Sequence, residues 1–317
     1  MTVAVVLVSH GTVDDLDDLG AFVTNVRRGH APSADLVAEL RRRYDAVGGS
    51  PLNAINAEVA RKLAARLSAR VAFANRLWKP YARDVVASLA AEGATRIALV
   101  PLAQHSAAVY AADARPAAEA AGVELVCATN WGRDAALCDA FARRIGQAFA
   151  GPVRGVETGG AGPMENVAMA TIPPTVIMTA HSLPRSVIDA GDPYEREVRG
   201  AADAIAERVR AANAAHFVVA FQSQGFASGG PGGRPIPWLG PDLAAALDEA
   251  VALGSKRVVF APVGFLADHV EILYDLDIEA RAMAAARGLA YARTASLNAD
   301  DDFIEVLARV ATPLLAA

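Results

Sequence analysis

Short apolar runs recur along the chain and alternate with Ala-rich stretches that have helical spacing. The runs that we predict to be strands are residues 3–9, 70–74, 96–102, 123–128, 175–179, 216–221 and 257–262. The predicted helices include residues 34–46, 53–68, 81–92, 133–149, 194–212, 241–253 and 268–286. Strands that are apolar throughout, with helices between them, are typical of parallel sheets covered on both faces. The pattern therefore predicts a doubly wound α/β fold.

The hydrophobic pattern also divides the chain into two similar halves. The 317 residues suffice for two domains of about 150 residues each, and the Gly-rich residues 151–164 are interpreted as a linker. VAVVLVSHGT opens the first half and TVIMTAHSLP follows the linker, so a predicted strand ends at His10 and another at His181. We predict domains at 1–155 and 156–317, with the last helix packing back on the first domain. Strand tips line the ligand crevice of open α/β sheets, so both histidines are expected on one cleft.

Composition excludes several classes of protein. The net charge is −5 and 53% of the residues are hydrophobic, which argues for a sizeable core and against nucleic-acid binding. The two cysteines, Cys127 and Cys138, lack the spacing of a zinc site or a disulfide scaffold. Neither a signal peptide nor a membrane span is predicted, so we expect a cytoplasmic protein. The Gly-rich residues 225–233 are interpreted as a flexible surface loop, and no strand is followed by a nucleotide-binding glycine motif.

The stretch ADHVEILYDLDIE (residues 267–279) holds an unusual line of carboxylates. Glu271, Asp275 and Glu279 are spaced four residues apart, with Asp268 and His269 just before them. Like charges at that spacing repel on a helix. Apolar residues surround them in sequence, which predicts a mostly buried helix, and buried carboxylates need a cation or a proton. The line therefore suits the passage of a divalent cation or of protons; a solvated helix face is the alternative.

Three further motifs are candidates for chemistry or for turns. In TAHSLP, His181 lies where a strand ends, and the acidic line also begins just after a strand, so His181 and Glu271 are expected to meet in one pocket. In PWLGPD (237–242), we expect Gly240 to cap a helix with Pro241 at its first position. In VRRGHAP (26–32), Arg27 and Arg28 either bind carboxylates or phosphate or form an ordinary surface pair.

The order of these motifs resembles that of the ferrochelatases. TAHSLP with GDPY, FQSQG with PWLGPD, and PVGFLADHVEILYDLDIE follow one another at suitable distances, and the resemblance covers nearly the whole chain. VRRGHAP with LVAELRRRYDAVGG is similar to the short form of Gram-positive bacteria, which makes coproheme from coproporphyrin III. The resemblance implies a chelatase fold, in which two Rossmann-like domains with parallel four-stranded sheets surround a porphyrin cleft. It also implies insertion of Fe²⁺ with loss of two pyrrole protons.

The resemblance assigns roles residue by residue. His181 corresponds to the catalytic histidine and Glu271 to its partner, while Asp275 and Glu279 continue the acidic track on a locally π-wound helix. The implied metal-contacting residues are His181, Glu271, Asp275, Glu279 and His10. The implied substrate-binding residues are His10, Arg27, Arg28, Arg43, Ser50 and Tyr110. We expect Fe²⁺ as a substrate, no permanent cofactor, porphyrin and heme as partners, no nucleic acid, no integral membrane segment, and a monomer.

Some residues depart from the pattern and keep alternatives open. His10 stands where the short form commonly has Tyr, and it is similar to the N-terminal VxHG of small class II chelatases. The alternatives are a protoporphyrin IX ferrochelatase, a cobalt or nickel chelatase for a more acidic tetrapyrrole, and a porphyrin or heme carrier without enzymatic activity.

Overall fold

The computed structural model describes residues 2–150, 172–224 and 236–316. The predicted linker 151–164, the domain boundary at 155 and the Gly-rich loop 225–233 lie outside the described residues. The strands are β1 Val3–Ser9, β2 Arg70–Asn75, β3 Arg96–Pro101, β4 Glu124–Cys127, β5 Thr175–His181, β6 His216–Gln222, β7 Arg257–Ala261 and β8 Ala290–Arg293. The helices before β5 are α1 Leu19–Val26, α2 Ala34–Val47, α3 Leu52–Leu67, α4 Ala82–Ala91, α5 Ala107–Ala121 and α6 Ala135–Ala150. Those after β5 are α7 Arg185–Asp189, α8 Tyr194–Arg210, α9 Leu243–Ala252, a π-helix Ile272–Ala280, α10 Arg281–Ala286 and α11 Asp301–Ala316.

The strands form two four-stranded sheets with the same strand order. One sheet has the order β2-β1-β3-β4 and the other β6-β5-β7-β8, and all their pairings are parallel. The central strands are almost wholly buried, as the continuous apolar runs predicted; Val176 and Ile177 of β5 have no exposed surface. The expectation of parallel four-stranded sheets in a doubly wound fold is confirmed.

Contacts divide the chain into two compact units. Unit 1 consists of Met1–Asp134, Leu266–Val270 and Leu297–Ala317, and unit 2 of Ala135–Phe265 and Glu271–Ser296. Within unit 1, the last helix α11 packs on α3, where Arg66 and Glu305 form an ion pair of 2.5 Å. Within unit 2, α6 packs on α8 through the ion pair Arg208–Asp139. The chain therefore changes unit at the start of α6 rather than after it.

Several element ends differ from the sequence predictions for physical reasons. The strand expected at 175–179 continues to His181, which pairs with Gln222 in the parallel ladder. Helix α9 is not capped by Gly240 with Pro241 at its first position; Asp242 is the N-cap, and its carboxylate accepts a 2.8 Å hydrogen bond from the Ala245 amide. A carboxylate satisfies a free helix amide, which a glycine cannot do.

The long C-terminal helix expected at 268–286 differs most from the prediction. Helical structure begins only at Val270, and a π-helix occupies Ile272–Ala280 before α10. The π winding that the resemblance implied is thus present. Ile272 and Leu276 are fully buried and Ile278 is 40% exposed, so the helix is mostly buried, as predicted. One edge faces solvent.

Candidate active site

His181 is the last residue of the central strand β5, and its neighbours fix its orientation. The ring Nδ1 lies 2.5 Å from the Ser182 carbonyl oxygen. A carbonyl only accepts hydrogen bonds, so Nδ1 carries a proton and Nε2 is the basic nitrogen of the neutral ring. The Tyr194 hydroxyl donates to the His181 carbonyl oxygen (2.9 Å), and the buried Ser182 hydroxyl donates to the Leu239 carbonyl oxygen (2.9 Å). The hydrogen bond between Nδ1 and the Ser182 carbonyl therefore orients the imidazole and leaves Nε2 on its other side.

Nε2 of His181 faces the carboxylate of Glu271 at 3.7 Å. This separation is that of an ion pair, too long for a direct hydrogen bond. The two side chains are 38% and 37% exposed, so the pair lies at the edge of solvent and not inside the core. The predicted meeting of a strand-tip imidazole with the acidic line is present within unit 2.

The electrostatic surroundings favour the protonated form of His181. Burial alone lowers the pKa of the imidazole, but the Glu271 carboxylate, the Ser182 carbonyl and the charge of Asp275 outweigh it. The net effect raises the pKa of His181 from 6.5 to about 8. The ring is thus poised to exchange a proton in the neutral to mildly alkaline range, as a general base requires.

Asp275, one turn beyond Glu271, is a buried carboxylate with a close hydroxyl partner. It is only 4% exposed, and the Ser223 hydroxyl donates a 2.5 Å hydrogen bond to its Oδ2. A buried carboxylate is costly unless it is hydrogen-bonded or paired with a charge. His181, Glu271 and Asp275 therefore form one group at the carboxyl ends of β5 and β6, and Glu279 follows, half-buried, along the same π-helix.

Asp277, which was not part of the predicted line, and Asp268 have other surroundings. Asp277 forms a bidentate ion pair with Arg293 at the end of β8 (2.8 and 2.9 Å). Asp268, in unit 1, accepts a 3.0 Å hydrogen bond from the Asn298 amide. Among residues 2–150, 172–224 and 236–316, no three His, Cys, Asp or Glu side chains are arranged to hold a metal ion.

The structure places the other expected site residues in unit 1. His10 is exposed just after β1, and its ring meets Phe22 edge-on (centroids 6.4 Å apart). Arg27 ends α1, with its buried Nε lacking a hydrogen-bond partner in the described chain, and Arg28 is exposed in a left-handed conformation (φ 56°). The hydroxyl of Ser50 is buried and likewise has no hydrogen-bond partner among the described residues.

Two of these residues are engaged in contacts within unit 1. Arg43 pairs with Glu39 at 2.9 Å, and hydrogen bonds from Arg42 and Arg43 lower the pKa of Glu39 to about 2. Tyr110 is 8% exposed and belongs to the core beneath β1 and β3, where the Arg76 guanidinium covers its ring at 5.7 Å. Tyr110 is thus a core residue of α5, with the Arg76 guanidinium over one face of its ring.

Sequence reasoning missed the supporting residues around His181 and Glu271. Gln222 and Ser223 belong to the quoted motif FQSQG but received no role, although they contact the π-helix. Their adjacency to His181 follows from the ladder register His181↔Gln222. The only sequence signal for a role of these two residues was that the polar motif follows a buried strand.

No described helix is long and apolar enough to cross a lipid bilayer.

Comparisons with known proteins give one family across the chain. The family model described as Ferrochelatase matches residues 2–314. A ferrochelatase of Acidobacterium capsulatum is 34% identical over 311 residues, covering 97% of this chain and 93% of that protein. A coproporphyrin III ferrochelatase of Anoxybacillus flavithermus is 31% identical over 318 residues, covering 96% and 93%.

A solved structure supports the fold alone. The sirohydrochlorin chelatase SirB of Bacillus subtilis subspecies spizizenii, in complex with cobalt, superposes with a TM-score of 0.55 at 14% sequence identity. The match covers 99% of this chain and 95% of that one. At this low identity the likeness indicates a shared chelatase architecture and carries no information on the metal or the tetrapyrrole.

Proposed function

The chain belongs to the ferrochelatase family, and we propose that it inserts Fe²⁺ into a porphyrin in heme biosynthesis, with coproporphyrin III as the favoured substrate. The observation that carries the proposal is the His181–Glu271 pair. His181 lies at the tip of the central strand β5, and its basic imidazole nitrogen is 3.7 Å from the Glu271 carboxylate. Insertion of Fe²⁺ releases two protons from the pyrrole nitrogens, so the site must accept protons at neutral pH. This pair is suited to that task.

The proposed chemistry moves protons along the acidic helix. Nε2 of neutral His181 accepts a pyrrole proton while the porphyrin nitrogens bind Fe²⁺ as the incoming substrate. His181 then passes the proton to Glu271, which lies within ion-pair distance, and Asp275 is the next carboxylate along the helix. Because Nδ1 is held by the Ser182 carbonyl, only Nε2 takes part in the transfer. The second pyrrole proton leaves by the same path after His181 has lost the first.

The central test is metallation by the His181→Ala variant. A proton-accepting histidine contributes about 10²–10⁴-fold to a rate, so turnover with Fe²⁺ should fall at least a hundredfold while porphyrin binding, followed by fluorescence quenching, remains. Turnover close to that of the unaltered protein would refute the assignment. Binding without any metallation by the unaltered protein would instead identify a porphyrin carrier.

The choice of coproporphyrin III is supported by cationic and hydroxyl groups in unit 1. Arg27 and Arg28 make no ion pair with any described acidic residue, and the Ser50 hydroxyl lacks a partner within the same residues. Arginine binds carboxylates bidentately, and coproporphyrin III carries four propionates where protoporphyrin IX carries two. The relative from Anoxybacillus flavithermus, a coproporphyrin III ferrochelatase, fits the same choice.

Turnover with the two porphyrins side by side tests the substrate. We expect higher kcat/KM with coproporphyrin III, and a lower value for Arg27→Ala and Arg28→Ala with that substrate than with protoporphyrin IX. A preference for protoporphyrin IX would overturn this part of the proposal. His10 is exposed and imidazole binds Co²⁺ and Ni²⁺, so competition with these ions on a more acidic tetrapyrrole tests the class II alternative.

A further inference from the structure

Two consecutive residues at the end of β6 contact the helix that carries the proposed proton acceptors. Gln222 is the last residue of the strand and is 2% exposed. Its side-chain amide donates to the backbone carbonyl oxygen of Glu271 at 3.3 Å. Ser223 follows directly and donates its hydroxyl to Oδ2 of Asp275 at 2.5 Å. One strand tip therefore contacts both acids.

Ser223 takes up a backbone conformation that favours glycine. Its φ is +56°, and it is one of four non-glycine residues with positive φ among the described residues. Side chains with a Cβ adopt this left-handed region only rarely. At this position, which favours glycine, the chain has Ser223, whose hydroxyl reaches Asp275. A merely conformational role would be better served by glycine.

The same strand tip is tied to the proposed base. The Ser182 amide donates to the Gln222 carbonyl oxygen at 2.7 Å, and His181 pairs with Gln222 in the ladder. Displacement of the β6 tip would therefore disturb His181 and the acidic helix together. Of the two residues at the β6 tip, Gln222 contacts a backbone carbonyl, whereas the Ser223 hydroxyl contacts a carboxylate directly.

We propose that Ser223 is a positioning residue for metal insertion, which holds the Asp275 carboxylate in place as the proton acceptor behind Glu271. This inference rests on the proposed function. During transfer an N–H bond of the ring breaks and an N–H bond forms on His181; the proton next passes to a Glu271 oxygen and then to an Asp275 oxygen. No electron pair leaves the site and no oxidant is needed. Ser223 keeps its own proton and only donates a charge-assisted hydrogen bond.

The decisive variant is Ser223→Gly, which removes the hydroxyl and at the same time suits the positive φ. Glycine removes backbone strain, so failure to fold is not the expected result. A hydrogen bond to a charged group corresponds to about ten- to hundredfold in a rate. We therefore expect kcat for Fe²⁺ insertion to fall about tenfold or more, while the porphyrin dissociation constant stays within about twofold. This split between kcat and binding would not follow from general loosening of the fold.

Ser68→Gly is a matched control. Ser68 ends α3 with φ +50° and belongs to unit 1, so the same substitution in the same backbone conformation should leave kcat unchanged. A cycle with Asp275→Asn completes the test. If the hydroxyl acts through the carboxylate, Ser223→Gly should add little once Asp275 is replaced.

Two results would overturn the proposal: turnover of Ser223→Gly within twofold of the unaltered protein, or fully multiplicative effects of Ser223→Gly and Asp275→Asn. Failure of this inference is distinguishable from failure of the proposed function. If only the inference fails, the unaltered protein and Ser68→Gly still insert iron. If the proposed function fails, neither the unaltered protein nor any variant inserts iron.

Discussion

Removal of the Glu271 charge should lower the pKa of His181 by a predictable amount. Two unit charges 3.7 Å apart interact by about 1.1 kcal/mol in water and by about 4.5 kcal/mol at an effective permittivity of about 20. Both side chains are more than a third exposed, so the lower end applies, at about 1–2 kcal/mol, or roughly one pKa unit. Glu271→Gln should therefore lower the pKa of His181 from about 8 to about 7.

The assay is a proton NMR titration of the His181 ring in the metal-free protein, with the resonance assigned by its loss in His181→Ala. The matched control is Glu279→Gln, which removes a charge from the same π-helix at a carboxylate that is not among the causes of the His181 shift. It should leave the titration nearly unchanged. An unaltered protein whose His181 titrates at or below 6.5, or a Glu271→Gln variant with an unshifted curve, would refute the electrostatic account.

The same pKa shift has consequences for activity and stability, with a definite sign. The base must be unprotonated, so kcat/KM should rise with pH through about 8, and Glu271→Gln should move this limb to lower pH. The folded pKa of His181 is raised above 6.5, so the pair stabilises the fold fully below 6.5. That contribution is lost as pH rises through about 8. Urea unfolding at the two ends of this window should show Glu271→Gln destabilised only at the acid end.

Two further predictions concern the local structure around the site. Asp242→Ala removes the N-cap of α9, which should lower the free energy of unfolding by about 1 kcal/mol; urea denaturation measures it, and an unchanged midpoint would contradict the cap. Gly264→Ala would bring a Cβ to 2.5 Å from the Ala180 Cβ, next to His181, so we expect a loss of about 1–3 kcal/mol and reduced iron insertion. Normal stability and turnover in this variant would show that the loop can move away from β5.

Apolar runs made seven of the eight described strands predictable. They were predicted within two residues of their observed ends, because each contains Val, Leu, Ile or Met in a short apolar run. β8, Ala290–Arg293, contains none of these residue types, so its hydrophobic pattern does not distinguish it from a loop. Helix α5 was not among the predicted helices, and the structure shows it to be continuous through Pro116.

The candidate site was predictable only in its charged members. His181 and Glu271 could be paired from the sequence because both follow buried strands, and parallel strands end at the same edge of a sheet. The contact of Tyr110 with Arg76 could not be predicted, since only packing shows that the guanidinium lies over its ring. Ser223 could not be assigned a role, because its partner Asp275 is 52 residues away in the chain. Hydrogen-bond partners across such separations depend on strand order, which the hydrophobic pattern does not give.

The sheet order explains how one helix accommodates a line of acids that would otherwise repel one another. Each of three acids meets a group from a different strand end: Glu271 meets His181 from β5, and Asp275 meets Ser223 just after β6. Asp277 meets Arg293 from β8. Asp277 has a permanent cation as its partner, and this ion pair lies on the side of the helix toward β8. The carboxylates toward β5 and β6 are met by an imidazole whose positive charge is lost as the pH rises through about 8, and by a neutral hydroxyl. In the proposed mechanism, that asymmetry leaves the acids behind His181 able to receive protons, which is what a site that releases two protons for each Fe²⁺ bound requires.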